Sequence, residues 1–362
     1  MNTLFLKGID QQFGSLLIRL LPRFKNTRRE FPAAPSFLFI RPGGIGDAIL
    51  LIPAIQAIKS AFPDCHIEIL AETRNGAVFT LCSAVEKVYR HDHFMELFSC
   101  LTKRYDCIID TEQHHRLSAV VSRVIRSDVK IGFSGNERVK MFSDCVDYSH
   151  DTYEADSFLN LLAPLGITPP EKISKPFLQL PESAKQTVQR LLTPLQSETY
   201  ICIFPGASIQ ERQWGEDNFF RLTQLFNQKG FQVVVIGGKE DIDTGNEIVK
   251  GNKGTNLAGK TTFAESFAII QNSHLLISGD SGMLHAGVAL NKATVSLFGS
   301  GIAAKWAPHG DKHIIINKQL SCSPCTRFGY TPKCPNNAAC MQQITVQEVF
   351  AAAMSLINKR TE

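Results

Sequence analysis

The chain has 362 residues, 44% hydrophobic and 20% charged, a globular composition and more than one ordinary core can hold, so two domains are expected. Its formal charge of +4 resides in residues 1–30, where six basic side chains face two acidic ones; the remainder balances at 32 of each. That balance argues against a nucleic-acid-binding body.

Residues 1–30 combine those cations with Leu4, Phe5, Leu6, Phe13, Leu16, Leu17, Leu20 and Leu21. Lys7, Asp10 and Arg19 interrupt the run, so it is not a spanning helix, and no small-residue cleavage site follows it, so it is not a secretory signal. Two readings stand: a basic amphipathic helix on an anionic membrane surface, or a helix docked on the protein's own body.

Residues 37–40 read as a strand entering Arg41-Pro-Gly-Gly-Ile-Gly-Asp47, followed by a helix over 48–62 and a strand over 66–71. This is a βαβ unit and implies a parallel sheet. A dinucleotide fingerprint is a rival, with Glu72 where a ribose-binding acid would sit. Ile49 stands where its third glycine belongs, however, and Asp47 at the helix N-terminus would repel a pyrophosphate. Asp47 suits a general base better, since the helix N-terminus favours the carboxylate and fixes its position; its plainer role is an N-cap. Residues 106–110 form another strand, ending in Thr111-Glu-Gln-His-His-Arg116. His114, His115 and Arg116 suit an anionic substrate or, equally, a solvated loop. Arg138 and Lys140, beyond the short strand 130–133, add positive charge. A helix over 154–165 closes the first domain, and residues 168–181, with four prolines, read as the linker.

The second domain restarts with strand 200–204, Pro205-Gly-Ala-Ser208 and a polar loop to Trp214, then helix 217–228 and strand 232–236. Asp241-Ile-Asp243 resembles a metal-binding pair but reads as a solvated helix start. Helix 263–271 leads to Leu275-Leu-Ile-Ser-Gly-Asp-Ser-Gly-Met-Leu-His285, a strand, tight turn and helix, followed by strand 293–298. Asp280 is the expected N-cap. The amides of Ser281, Gly282 and Met283 then converge on one spot suited to a diphosphate, with His285 one turn further in. Two α/β halves imply a ligand cleft between them.

Cys65, Cys82, Cys100, Cys107, Cys145 and Cys202 are scattered through apolar segments, as buried thiols of a reduced cytoplasmic protein would be. Cys322-x2-Cys325-x8-Cys334-x5-Cys340 is a compact set that suits a structural zinc or iron knuckle, or free thiols on a proline-rich flap. A terminal amphipathic helix over 346–357 is expected to pack back on the first domain.

Taken together, the chain resembles the glycosyltransferase family 9 heptosyltransferases, which build the inner core of bacterial lipopolysaccharide. The resemblance rests on Arg41-Pro-Gly-Gly-Ile-Gly-Asp-Ala-Ile-Leu-Leu-Ile-Pro-Ala54, Pro205-Gly-Ala-Ser-Ile-Gln-Glu-Arg-Gln-Trp214, Leu257-Ala-Gly259, and Gly279-Asp-Ser-Gly-Met-Leu-His285 with Leu297-Phe-Gly299. It implies a GT-B fold, two Rossmann-like parallel-sheet domains facing a central cleft: an arm over 1–30, an acceptor domain over 31–167, the linker 168–181, a donor domain over 182–344 that includes the cysteine-rich 322–340, and a C-terminal helix over 345–362 returning to the first domain. The implied reaction is inverting transfer of a heptose from ADP-heptose to a hydroxyl of Kdo-lipid A or a heptosyl acceptor, without an essential metal. Asp47 takes the base position. Gly46, Ser208, Arg212, Glu240, Asp280, Ser281, Gly282 and His285 fall to the donor, and His114, Arg116, Arg138 and Lys140 suit a phosphorylated glycolipid acceptor. Arg212 stands where the best-known members carry lysine, which keeps the charge but replaces a point with a fork. Domain closure would join the two sets and exclude water. The implied location is cytoplasmic, with peripheral contact at the inner membrane face. The other readings are a family member acting on another surface glycan or nucleotide sugar, a nucleotide-sugar epimerase, an NAD-dependent oxidoreductase, and a silent binding protein of the same fold.

Overall fold

The structure is a computed structural model and describes residues 10–25, 30–193, 195, 199–327 and 330–359. The chain forms two compact units, divided between Ile173 and Ser174. That division falls within the proline-rich stretch 168–181.

The first unit is built on six parallel strands, β1 Ser36–Ile40, β2 His66–Ala71, β3 Lys87–Arg90, β4 Arg104–Asp110, β5 Arg126–Phe133 and β6 Asp144–Val146, in the order β3-β2-β1-β4-β5-β6. Phe37, Leu38, Phe39 and Ile40 are buried, as a central parallel strand covered on both faces requires. A π-helical turn, Asp10–Gly14, leads into α1 Ser15–Leu20. The helices after it are α2 Ile45–Ala61, α3 Thr73–Phe79, α4 Phe94–Leu101, α5 Arg116–Val124 and α6 Glu154–Asn160. Leu38 and Ile40 share one face of β1, and they pack with Cys100 of α4 and Val121 of α5. Helices α4 and α5 therefore cover the same side of the sheet.

The second unit repeats the plan with β7 Tyr200–Phe204, β8 Gln232–Val235, β9 Gly254–Asn256, β10 Leu275–Gly279, β11 Ala293–Phe298 and β12 His313–Asn317, ordered β12-β11-β10-β7-β8-β9 and all parallel. Its helices are α7 Glu182–Leu192, α8 Glu216–Gln228, α9 Ile242–Val249, α10 Phe263–Asn272, α11 Gly282–Ala289, α12 Ala303–Trp306, α13 Ala339–Gln342 and α14 Val346–Asn358. Strand order reverses between β1 and β4 in one unit and between β7 and β10 in the other. These are the crevices where doubly wound sheets bind ligands.

Val349, Ala353 and Leu356 of the terminal helix α14 are buried with Phe219, Leu222 and Phe226 of α8, so its apolar stripe completes the second unit's core. Among the described residues no helix is long and apolar enough to cross a membrane.

Candidate active site

The first unit's site is assembled where β1 and β4 end. Gly43 takes a φ of +107°, open to glycine, and donates its amide to Glu72 (3.1 Å); Gly44 then caps α2. Gly46 and Asp47 occupy the first turn of α2, so Asp47 is not the N-cap. Its carboxylate is free to turn toward Arg41, whose Nη2 lies 3.3 Å from Asp47 Oδ2. The Arg41 guanidinium is buried and donates to the carbonyls of Pro42 (2.7 Å) and Thr111 (2.9 Å), the latter at the end of β4. Burial opposes its charge, but Asp47, Glu112 and Glu154 raise its pKa above the ordinary value.

Glu112 gathers the loop after β4. One carboxylate oxygen accepts the amides of Gln113 (3.0 Å), His114 (3.0 Å) and His115 (3.2 Å), and the other lies 3.7 Å from Arg41. Burial pushes its pKa up, but Arg41, His115 and Arg138 together hold it below the usual carboxylate range. Glu154 is buried too, accepting from Gln113 (2.5 Å) and the Tyr148 hydroxyl (3.0 Å). Within this cluster Asp47, with a quarter of its side chain exposed, is the carboxylate that reaches solvent. A hydroxyl arriving there meets a fixed anionic oxygen at a helix N-terminus. The partners of Arg41 and Glu112 lie far off in sequence, so no local pattern marks either residue. Glu72, where the rival dinucleotide reading would put a ribose-binding acid, holds the Gly43 loop and Arg74 (2.5 Å).

The cations expected at an acceptor are largely committed within the protein. Arg138 is fully buried, 2.8 Å from Asp110, and donates to the Glu112 carbonyl and to Ser118 (3.3 Å). Arg116 pairs with Glu137 (2.5 Å), and that pairing is the main reason the Glu137 carboxyl sits at about 2. Lys140 donates to the Ile18 carbonyl (3.2 Å). His114 stays half-buried, where burial lowers its pKa. These positions read as substrate cations because charge is visible in a sequence and its partner is not.

In the second unit Ser208 is exposed in the loop after β7, and Arg212 ends a 3-10 turn beyond it. The Arg212 guanidinium lies 2.8 Å from Asp280 Oδ2 and reaches Thr326 (3.5 Å). Asp280 is therefore the counter-charge of Arg212, and the helix cap falls to Ser281. Its hydroxyl lies 3.4 Å from the Leu284 amide and 2.7 Å from the Ser278 hydroxyl. The backbone thus brings the amides of Gly282 and Met283 to the start of α11 beside the Arg212 fork, and His285 is buried one turn in. A guanidinium and helix N-terminal amides at one crevice are groups of the kind that hold an anion. Glu240 is exposed, its side chain folded against Gly238. Asp241 is buried against Gly206 and Gly237, not solvated, while Asp243 is exposed; the pair does not converge.

Cys322, Cys325, Cys334 and Cys340 border one small cavity with Glu211 and Lys333. Among the described residues no group of three or more His, Cys, Asp or Glu side chains is arranged to hold a metal ion. Cys340 lies in α13 and is buried with the second unit's core, and the Cys334 sulfur accepts the Ala338 amide at 3.3 Å. Burial raises the Cys325 and Cys340 thiols, and the neighbouring cysteines raise them further. Five of the six scattered cysteines are buried as expected; Cys145 is exposed.

Comparison with known proteins follows the same lines. A family model described as glycosyltransferase family 9 (heptosyltransferase) matches residues 94–334. Lipopolysaccharide heptosyltransferase 3 of Escherichia coli is 27% identical over 295 residues, covering 74% of this chain and 85% of that protein. The solved E. coli ADP-heptose lps heptosyltransferase II superposes with a TM-score of 0.75 at 21% identity, over 90% of this chain and all of that one. E. coli heptosyltransferase WaaC, solved with ADP-2-deoxy-2-fluoro heptose, gives 0.68 at 16% identity, over 90% of this chain and 99% of its own. Both superpositions span the two units and agree with a GT-B architecture.

Proposed function

The chain belongs to glycosyltransferase family 9, and on that premise we propose that it transfers a heptose, with inversion, from ADP-heptose to a hydroxyl of the lipopolysaccharide inner core. The observation that carries the reading is Asp47: a solvent-reaching carboxylate at the switch point of the first sheet, held by a buried arginine. Asp47 accepts the acceptor hydroxyl's proton as that oxygen bonds to the anomeric carbon. The bond from that carbon to the diphosphate breaks, and ADP leaves with the electron pair. Arg212 and the amides of Gly282 and Met283 stabilise the charge that develops on the leaving diphosphate. No step in this scheme calls on a metal.

The donor assignment is supported by the two E. coli structures, one named for ADP-heptose and one holding an ADP-heptose analogue. The acceptor is a glycolipid, as the lipopolysaccharide transferases among the relatives suggest, and the enzyme works as a peripheral protein at the cytoplasmic membrane face. Thermal shift across ADP, UDP, GDP and NAD, followed by turnover with the preferred nucleotide sugar, tests the reading. Selective ADP stabilisation and an inverted product support it; preference for UDP or GDP changes the sugar, and preference for NAD overturns it. A ligand at 100 times its Kd adds about 2.7 kcal/mol of stability, well within detection.

A further inference from the structure

The described exposed large apolar side chains of the first unit lie on the arm, α4 and α5. Phe13, Leu16, Leu17 and Leu20 belong to the arm, Phe94, Met95 and Phe98 to α4, and Val124 closes α5. Helices α4 and α5 cover one face of the sheet, and the arm packs on α5. Eight apolar side chains thus share one side of the unit, with Leu20 73% and Phe94 77% exposed. A monomeric soluble surface does not ordinarily gather them so.

The arm is both docked and exposed, so the two readings of residues 1–30 are compatible over its described part. Asp10 accepts the first two amides of α5, from Arg116 (2.9 Å) and Leu117 (2.7 Å), and lies 3.5 Å from His115. Ile18 is buried with Ala119, Val120, Met141 and Phe142. Ser15 donates to Glu137 (2.9 Å), and the Phe24 amide to the Lys140 carbonyl (2.8 Å). The outward face keeps its apolar residues and adds exposed Arg19, Arg23 and Lys25, with Arg126 beside Val124. Three acids near this side are paired, Asp10 with His115, Glu137 with Arg116 and Glu96 with Arg90, while exposed Asp92 accepts the Thr73 amide.

We propose that this face docks on an anionic lipid bilayer, the arm and the N-terminal turn of α4 inserting their apolar side chains while Arg19, Arg23 and Lys25 meet lipid phosphates. Charge decides the occupant. A second copy of the chain, placed symmetrically on the same patch, would set these cations against themselves, whereas an anionic bilayer complements them. The inference rests on the glycolipid-acceptor reading and deepens it. Asp10 joins the arm to the first turn of α5, directly after the loop that Glu112 gathers beside Arg41 and Asp47, so docking would bring the lipid surface to the acceptor side of the site.

The test is co-sedimentation of the full chain with vesicles of phosphatidylcholine alone and of equal parts phosphatidylcholine and phosphatidylglycerol. The wild type should pellet with the anionic vesicles and release as salt rises. The exposed pairs Leu16→Ser with Leu20→Ser, and Phe94→Ser with Phe98→Ser, should keep the wild-type Tm and each weaken binding about tenfold or more. Arg19→Gln, Arg23→Gln and Lys25→Gln should each weaken it about fivefold. With ADP-heptose, the serine variants should retain turnover on a deacylated, water-soluble acceptor and lose it on acceptor embedded in vesicles. A wild type that stays in the supernatant, or serine variants that bind as well as wild type, overturns the proposal. So does a wild-type dimer that the serine variants convert to monomer. Failure of the glycolipid-transferase reading itself would look different: no turnover on either acceptor, whatever the vesicle result.

Discussion

Arg41 Nη2 stands 3.3 Å from Asp47 Oδ2, and the same guanidinium donates to the Thr111 carbonyl at the end of the neighbouring strand. One buried cation thus ties the helix that carries the candidate base to the loop beside it. A lysine cannot reproduce that fork. Arg41→Lys should lower kcat by about tenfold to a hundredfold while ADP affinity stays within twofold, because the proposed base loses its orientation and the proposed donor residues lie in the other unit. Steady-state kinetics paired with calorimetric ADP binding checks this; unchanged kcat removes the positioning role.

Arg212 is held by Asp280 at 2.8 Å beside the start of α11. If it binds the donor's diphosphate, Arg212→Ala should weaken ADP binding by about tenfold to a hundredfold, the usual worth of a charged hydrogen bond. Calorimetry reads this directly, and an unchanged Kd places the diphosphate elsewhere.

Arg138 was expected to meet acceptor and is instead buried 2.8 Å from Asp110. Arg138→Met strands a buried carboxylate and should cost about 3–5 kcal/mol of stability. The double variant with Asp110→Asn should recover much of that loss. Urea denaturation measures both; a surface role in acceptor binding would give a small stability change and a raised acceptor KM.

Acid should loosen the arm. The Glu137 carboxyl is drawn down to about 2, chiefly by Arg116, and Asp10 is below its ordinary value: burial raises it, but the hydrogen bond with His115 and the Leu117 and Arg116 amides lower it further. A depressed carboxylate contributes its stability in full above its unfolded pKa and loses it as pH falls through the folded one. Arm protection should therefore hold at pH 5 and above, then fade as pH falls below about 4 and toward 2. Hydrogen exchange at the amides of Arg116 and Leu117, which Asp10 accepts, follows it; protection independent of pH across that window contradicts the assignment.

Much of this was legible in the sequence. Buried parallel strands are unbroken apolar runs, so Phe37-Leu-Phe-Ile40 and Leu275-Leu-Ile277 announced themselves, and the glycine-rich exits after them marked both crevices. The edge strands were not legible. Lys87–Arg90, Asp144–Val146 and Gly254–Asn256 are short and half-polar, and they pair with only one neighbour. Asp47 could be placed at the start of a helix, because a glycine-rich strand exit followed by a helical apolar pattern is readable in the sequence. Arg41 could not be given its role, since its partners Thr111 and Glu112 lie some seventy residues away. The cysteine spacing marked four residues that border one cavity, but it does not report that Cys340 lies in a short helix buried with the core.

In the proposed mechanism Asp47 removes the acceptor proton. The most direct measurement is ADP release and product formation by Asp47→Asn, which keeps the side chain's size and removes its basicity. Transfer should fall by a factor of about 10² or more while ADP binding and Tm are retained. Turnover within a few-fold of wild type, in a variant that binds ADP normally, would contradict it.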